Sequence, residues 1–320
     1  MFCVEGLVFL SGALVVGGVG FVGSHLIGRL ISEGFEVNIL DNFFTGSLEN
    51  IRNYLDCPHL HVVKGDVRRR GDVRGALKDV DYVFHLAAVA SIDLSVRRPK
   101  LVNDVNVSGT LNLLLESLRF NVERFIFTSS CAVYGEPVYL PIDENHPTNP
   151  VSPYGVSKLS AEYYCKIFHK AYGLDTVILR LFNVYGPRQE RSPYGGVIAK
   201  FIDALKSGRA PVIFGDGEQT RDFIYVDDVV EALILASKSG GCAGMTFNIG
   251  SGIETSINQL ADKLIKLFGL NIKPIHLKPR AGDVKRSCAN INKAREILGF
   301  KVKTPLEIGL EKCAKEYLGN

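Results

Sequence analysis

The feature that most constrains this chain is the rhythm of its first half, where short apolar runs alternate with stretches of helical spacing. Ala13-Leu-Val-Val16 reads as a strand, and Phe21 to Glu33 as a helix closed by Gly34. Further strands follow at 37–40, 61–63, 80–86, 124–128 and 176–181, with helices over 101–118 and 154–169. Strands that are apolar throughout belong to a sheet covered on both faces, and parallel strands need a crossover helix to bring the chain back. The pattern therefore predicts the α/β class: a doubly wound parallel sheet with helices on both faces.

Beyond residue 182 the rhythm becomes less regular. Gly/Pro-rich stretches at 185–196 and 208–217 separate helices expected at 197–207, 227–238, 256–268 and 305–318. This reads as a sheet domain over 1–181, to which 216–250 returns, and a smaller mixed lobe over 182–320 that supplies a substrate pocket.

Composition removes other classes. With 46% hydrophobic and 22% charged residues in 320, the chain can build a large core and is not disordered. A net charge of +3, spread over the sequence, gives no footprint for nucleic acid. Arg68-Arg69-Arg70, the densest basic cluster, reads as a solvated loop. Seven cysteines without a CxxC pair, and without metal spacing to the seven histidines, indicate neither a disulfide framework nor a zinc site. That usage points to the reducing cytoplasm. The apolar run 7–16 lacks a basic flank, and glycines interrupt it from Gly12 onward, so neither a signal peptide nor a membrane helix is expected. Residues 1–10 read as an extra leader with no assigned role.

Three motifs carry chemistry. Gly17-Gly-Val-Gly20-Phe-Val-Gly23 lies where the first strand turns into the first helix. Glycines there let the backbone approach a pyrophosphate, and the helix start offers unpaired N–H groups. A tight strand–helix turn also wants glycine; its place on the opening turn favours the binding role. Asp41 ends the second strand, where a carboxylate accepts from ribose hydroxyls and repels a 2′-phosphate, favouring NAD over NADP. Tyr154 and Lys158, four apart at a helix start, share one face. A nearby ammonium is expected to lower the tyrosine pKa toward neutrality and make Tyr154 a general base. Thr128-Ser129-Ser130 ends the preceding strand, at the sheet edge where ligands bind.

From about residue 11 to the C-terminus, these motifs in this order resemble the extended short-chain dehydrogenase/reductases, and within them the nucleotide-sugar 4-epimerases. The resemblance implies NAD as cofactor, held by Gly17, Gly20, Phe21, Val22 and Gly23, with Asp41 at the adenosine ribose and Asn42, Thr45 and Gly46 also in the cofactor site. Asp66 and Val67 match the adenine contact, and Leu86, Ala87 and Ala88 the stretch beneath the dinucleotide. Asn106 falls in the central-helix asparagine motif; Ser129, Tyr154, Lys158 and Phe182 complete the cofactor set. Ser130, Tyr154 and Lys158 match the catalytic set.

In the second lobe the resemblance assigns Asn183, Arg221 and Arg280 to a substrate diphosphate, Phe214 to the uracil and Asp283 to the nucleoside ribose. Val197 and Ser287 join the substrate pocket. Two arginines on loops can also be surface ion-pair partners; a dianion expected nearby favours binding. Dehydratases and decarboxylases of this kind usually carry an acidic residue where Cys131 or Ala132 stands, which argues against both reactions here. Small Ala90 and Ser287 stand where some hexose epimerases have lysine and tyrosine, implying a wide sugar pocket.

The implied activity is epimerisation of a UDP-hexose by transient oxidation at C4, UDP-glucose/UDP-galactose first and N-acetylhexosamine forms also accepted. Competing readings are a UDP-uronate 4-epimerase, a 4,6-dehydratase, or a catalytically silent NAD-binding scaffold. A homodimer is implied through helices near 101–118 and 154–170, in a four-helix interface.

Overall fold

Every residue of the first strand from 12 to 16 is buried, as a strand covered on both faces requires. The computed structural model describes residues 11–189, 195–279 and 283–318. Its strands are β1 (Ser11–Val16), β2 (Phe35–Asp41), β3 (Leu60–Lys64), β4 (Tyr82–His85), β5 (Arg124–Ser130), β6 (Asp175–Leu181), β7 (Asn183–Tyr185), β8 (Val212–Phe214), β9 (Thr220–Tyr225), β10 (Thr246–Ile249), β11 (Glu254–Ser256) and β12 (Ile275–Leu277). The helices are α1 (Phe21–Ser32), α2 (Arg70–Ala76), α3 (Ile92–Arg97), α4 (Pro99–Asn103), α5 (Gly109–Arg119), α6 (Pro153–Tyr172), α7 (Val197–Lys206), α8 (Val226–Lys238), α9 (Ile257–Leu267), α10 (Asn292–Leu298) and α11 (Leu306–Leu318).

The central sheet runs β10-β6-β5-β4-β1-β2-β3, and every neighbouring pair is parallel. This is the doubly wound sheet expected. Winding reverses between β1 and β4, and such a switch point opens a crevice at the carboxyl ends of the strands. The period of two sorts side chains between two cores. Ala13 and Val15 join the core that includes Leu26, Leu233 and Phe247, while Leu14 and Val16 join the one that includes Leu113, Phe127 and Cys165. A third core, with Tyr185, Phe201 and Leu260, sits among α7, α9 and β9.

Some readings from the sequence need correction. The single helix expected at 101–118 is α4 and α5 joined by a π turn over Asp104–Ser108. Thr246–Ile249, not recognised as a strand, extends the main sheet beside β6. The arginine cluster at 68–70 is not simply solvated. Arg70, with Arg74 and Arg119, pairs with Glu116, whose side chain is wholly buried, and Arg68 pairs with Asp66. Among the described residues Cys131, Cys165, Cys242, Cys288 and Cys313 are free thiols. Among the described residues no helix is long and apolar enough to cross a membrane, and no His/Cys/Asp/Glu group could hold a metal.

Candidate active site

A cavity of about 510 Å³ opens at the switch point, between the loop after β1 and the loop after β4. The polypeptide leaves β1 through Gly17, whose φ of +86° belongs to the left-handed region. A Cβ on Gly17 would lie 2.8 Å from the Ala87 nitrogen, and one on Gly23 would lie 2.3 Å from the Gly17 oxygen. These absent side chains leave the start of α1 open to the cavity. Gly20, its N-cap, brings no side-chain acceptor, and no acidic residue follows in the first turn. An uncapped helix start with its dipole facing a cavity is a site for a phosphate group.

Of the expected cofactor residues, Gly17, Gly20, Phe21, Val22, Gly23, Asp41, Asn42, Thr45, Val67, Leu86, Ala87 and Ala88 line the cavity. The Asp41 carboxylate accepts from the backbone N–H groups of Val19, at 3.2 Å, and Phe43, at 2.8 Å. Each oxygen therefore keeps acceptor capacity for a ribose hydroxyl. Burial raises the Asp41 pKa, and those N–H groups draw it back. Glycine cradle, open helix start and free carboxylate together fit a dinucleotide.

The remaining expected residues stand behind or beside the cavity. Gly46 packs so closely on Val19 that a Cβ would meet its backbone at 2.8 Å, which shapes the loop after β2. Asp66 is held by Arg68 in a bidentate pair, at 2.9 and 2.7 Å, which lowers its pKa strongly. Arg68 itself lines the cavity, together with Arg98, Arg188 and Gln189, none of them expected from the sequence. Arg188 also donates to the Ser24 carbonyl at 3.0 Å, and its φ of +68° marks a constrained turn that spacing could not show.

Asn106 lies in the π turn, a feature often found at functional sites. Its amide bonds both the N–H and the C=O of Val89, at 2.8 and 3.2 Å, and donates to Ser157 Oγ at 2.9 Å. It thus bolts the loop beneath the cavity to the helix that carries Lys158. Ser129 faces away from the cavity and Phe182 packs in the core against Tyr134.

Ser130 ends β5, where its hydroxyl accepts from the Ala132 N–H at 3.2 Å. Tyr154 opens α6 behind a Ser152 cap whose hydroxyl accepts from the Gly155 N–H, with Pro153 at the first helical position. The Tyr154 phenol does not move toward neutrality as expected. Burial pushes it up to about 12, and a hydrogen bond with Ser130 draws it part of the way back. Lys158 Nζ donates to the Thr128 carbonyl at 2.8 Å and lies 4.8 Å from the Phe127 ring centroid. Burial also brings the Lys158 pKa down to about 8. Cys131, beside Ser130, is a neutral thiol, raised to about 11 by burial, with the Arg221 charge opposing.

In the second lobe, Asn183 begins β7, and its buried Oδ1 has no hydrogen-bond partner, as expected of an atom awaiting a ligand. Arg221 forms an ion pair with Asp283 and donates to the Thr220 carbonyl at 2.7 Å. The two residues expected to bind diphosphate and ribose are thus partners of one another. Val197 begins α7, Phe214 ends β8 and Ser287 is buried. Arg280 lies outside the described residues.

Comparison with known proteins agrees with this geometry. The model of the NAD dependent epimerase/dehydratase family matches residues 13–250, and the chain belongs to that family. NAD is its cofactor. A relative from Methanocaldococcus jannaschii, named putative UDP-glucose 4-epimerase, is 44% identical over 93% of this chain and 96% of its own length. The structure of a UDP-N-acetylglucosamine 4-epimerase from Methanobrevibacter ruminantium is 41% identical, with a TM-score of 0.91 over 97% of this chain and 98% of its own. The UDP-glucose 4-epimerase of Thermotoga maritima, solved with UDP-glucose, is 39% identical, with a TM-score of 0.92 over 96% and 99%.

Proposed function

We propose that this chain is an NAD-dependent isomerase that inverts C4 of a UDP-hexose, taking UDP-glucose and UDP-galactose and also their N-acetylated forms. The observation that carries the reading is the end of β5. Ser130 and Tyr154 meet there, and the adjoining position holds the neutral thiol of Cys131 in place of a carboxyl group. Such a site can take a proton from one hydroxyl and return it, but offers no second acid or base for loss of water or of carbon dioxide. The names of the three relatives support the same chemistry.

In this reading Tyr154 accepts the proton of the sugar 4-hydroxyl, and Ser130 holds that oxygen by hydrogen bonding. NAD, when bound, supplies a reversible two-electron oxidant for C4. Gly17, Gly20, Gly23 and the start of α1 hold its pyrophosphate, Asp41 its adenosine ribose and Lys158 its nicotinamide ribose. Asn183, Arg221 and Arg280 anchor the diphosphate while the 4-keto sugar turns, and Phe214 and Asp283 hold the nucleoside. Anchoring by Arg221 requires exchange of its bond to Asp283 for one to substrate. The sheet domain and the residues 216–250 that return to it bind the cofactor, and the second lobe binds the sugar nucleotide.

Acceptance of N-acetylated sugars rests on the small side chains at Ala90, which lines the cavity, and Ser287. A homodimer through α5 and α6 is supported by exposed Val156, Tyr163 and Ile167 along one face of α6, and sedimentation of the purified protein checks it. The five free thiols among the described residues support a reducing cytoplasm, and thiol titration of freshly extracted protein tests it. The activity itself is tested by NMR of the purified protein with a panel of UDP-sugars and no added NAD. Interconversion at C4 without loss of mass is expected, and Tyr154→Phe that keeps full turnover would overturn the mechanism.

A further inference from the structure

Behind the catalytic edge lies a buried polar network that the reaction does not touch. The parallel register of β5 and β6 sets Ser129 opposite Arg180, so both side chains face α6. There they meet Glu162, one helical turn beyond Lys158 and without solvent exposure. Ser129 Oγ donates to Glu162 Oε1 at 2.5 Å, and Arg180 donates to both carboxylate oxygens at 2.9 and 2.7 Å. Arg180 also donates to the Tyr134 hydroxyl at 2.8 Å, and Tyr134 donates to Asn248 Oδ1 at 2.6 Å. The network spans β5, β6, β10 and α6.

A buried ion pair is seldom the most stabilising filling for such a space; apolar side chains of equal volume do as well or better. Its worth here is in what Ser129 separates. The Thr128 carbonyl on one side holds Lys158, and Ser130 on the other draws down the Tyr154 pKa. Thr128 is also anchored laterally, its hydroxyl donating to the His85 carbonyl at 3.0 Å. The Ser129 side chain has the Glu162 carboxylate as its partner.

We propose that Glu162, oriented by Arg180, is a positioning residue: through the Ser129 hydroxyl it fixes the backbone that presents both the Lys158 acceptor and Ser130. The inference rests on the reading of Ser130, Tyr154 and Lys158 as the catalytic set.

Ser129→Ala tests it, because this change cuts the link and leaves the Glu162–Arg180 pair intact. Turnover and KM are measured on the NAD-bound enzyme, with Ser129→Thr as the conservative variant and Tyr154→Phe as control. The expected result is a fall in kcat of roughly ten- to a hundredfold for Ser129→Ala. KM and bound NAD stay unchanged, and Ser129→Thr restores most of the rate. A merely structural hydroxyl would lower the melting temperature and leave kcat at its wild-type value; that result overturns the proposal. Should Tyr154→Phe remain active, the catalytic reading itself falls, whatever Ser129 does.

Discussion

Gly17→Ala is the sharpest physical test of the cofactor cradle. Gly17 sits at a φ of +86°, where a residue with a Cβ is strained by roughly 1–2 kcal/mol. The new methyl would lie 2.8 Å from the Ala87 nitrogen and 2.9 Å from its Cα, both backbone atoms that no rotamer change can move. Relief requires parting the ends of β1 and β4, where the N–H groups of Leu86 and Ala87 both donate to the Val16 carbonyl at 2.9 and 2.8 Å. Loss of one such bond adds about 1 kcal/mol. The total is about 2–3 kcal/mol of stability, together with a raised floor under the pyrophosphate. Thermal unfolding and the NAD released from purified protein by acid are measured beside Gly75→Ala, whose Cβ would meet nothing within 4 Å in α2. The control should be neutral or more stable by about 1 kcal/mol. Gly17→Ala with the wild-type melting temperature and a full complement of NAD would refute the reasoning.

Two further outcomes follow from the site. Lys158 has a pKa of about 8 in the folded chain against 10.5 for the free side chain, so its burial as a cation costs about 3 kcal/mol below pH 8. The unfolded chain holds the extra proton between those values, so this penalty disappears as pH rises from 8 to 10. Lys158→Met should therefore be inactive yet more stable at pH 7 by about 2 kcal/mol after loss of its bond to Thr128, and urea unfolding should show that gain shrinking toward pH 10. Ser287→Tyr should lower turnover of N-acetylated against plain UDP-hexoses; an unchanged ratio in competition assays removes the pocket argument.

The sheet was legible because burial on both faces leaves a plain mark: runs such as Ala13–Val16 and Thr176–Leu181 read as strands of a covered sheet in an α/β chain. The three-residue strands β7, β8, β11 and β12 left none, since so short a run carries no period. Site residues on the glycine turn were visible for the same reason as the turn itself. Competing partners were not. Asp66 follows β3 as the adenine motif requires, but Arg68, two residues on, occupies its carboxylate, and Arg221 pairs across 62 residues with Asp283. Ser129, Glu162 and Arg180 meet only through register and helical phase, which no motif spells out. The upward direction of the Tyr154 shift was not legible because spacing places Lys158 nearby but does not show the burial of the phenol, which governs the shift.

The π turn at Asp104–Ser108 bears on how this protein can be altered. A π turn is an α-helix carrying one residue too many, and deleting a residue there lets the helix heal into regular spacing. The turn absorbs that residue locally, so the healed helix keeps the flanking segments on their present faces and changes only the residues of the turn itself. Asn106 would then lose Val89 and Ser157 together. Laboratory selection for heat tolerance alone would favour such deletions, and would breed well-folded chains that no longer turn over sugar.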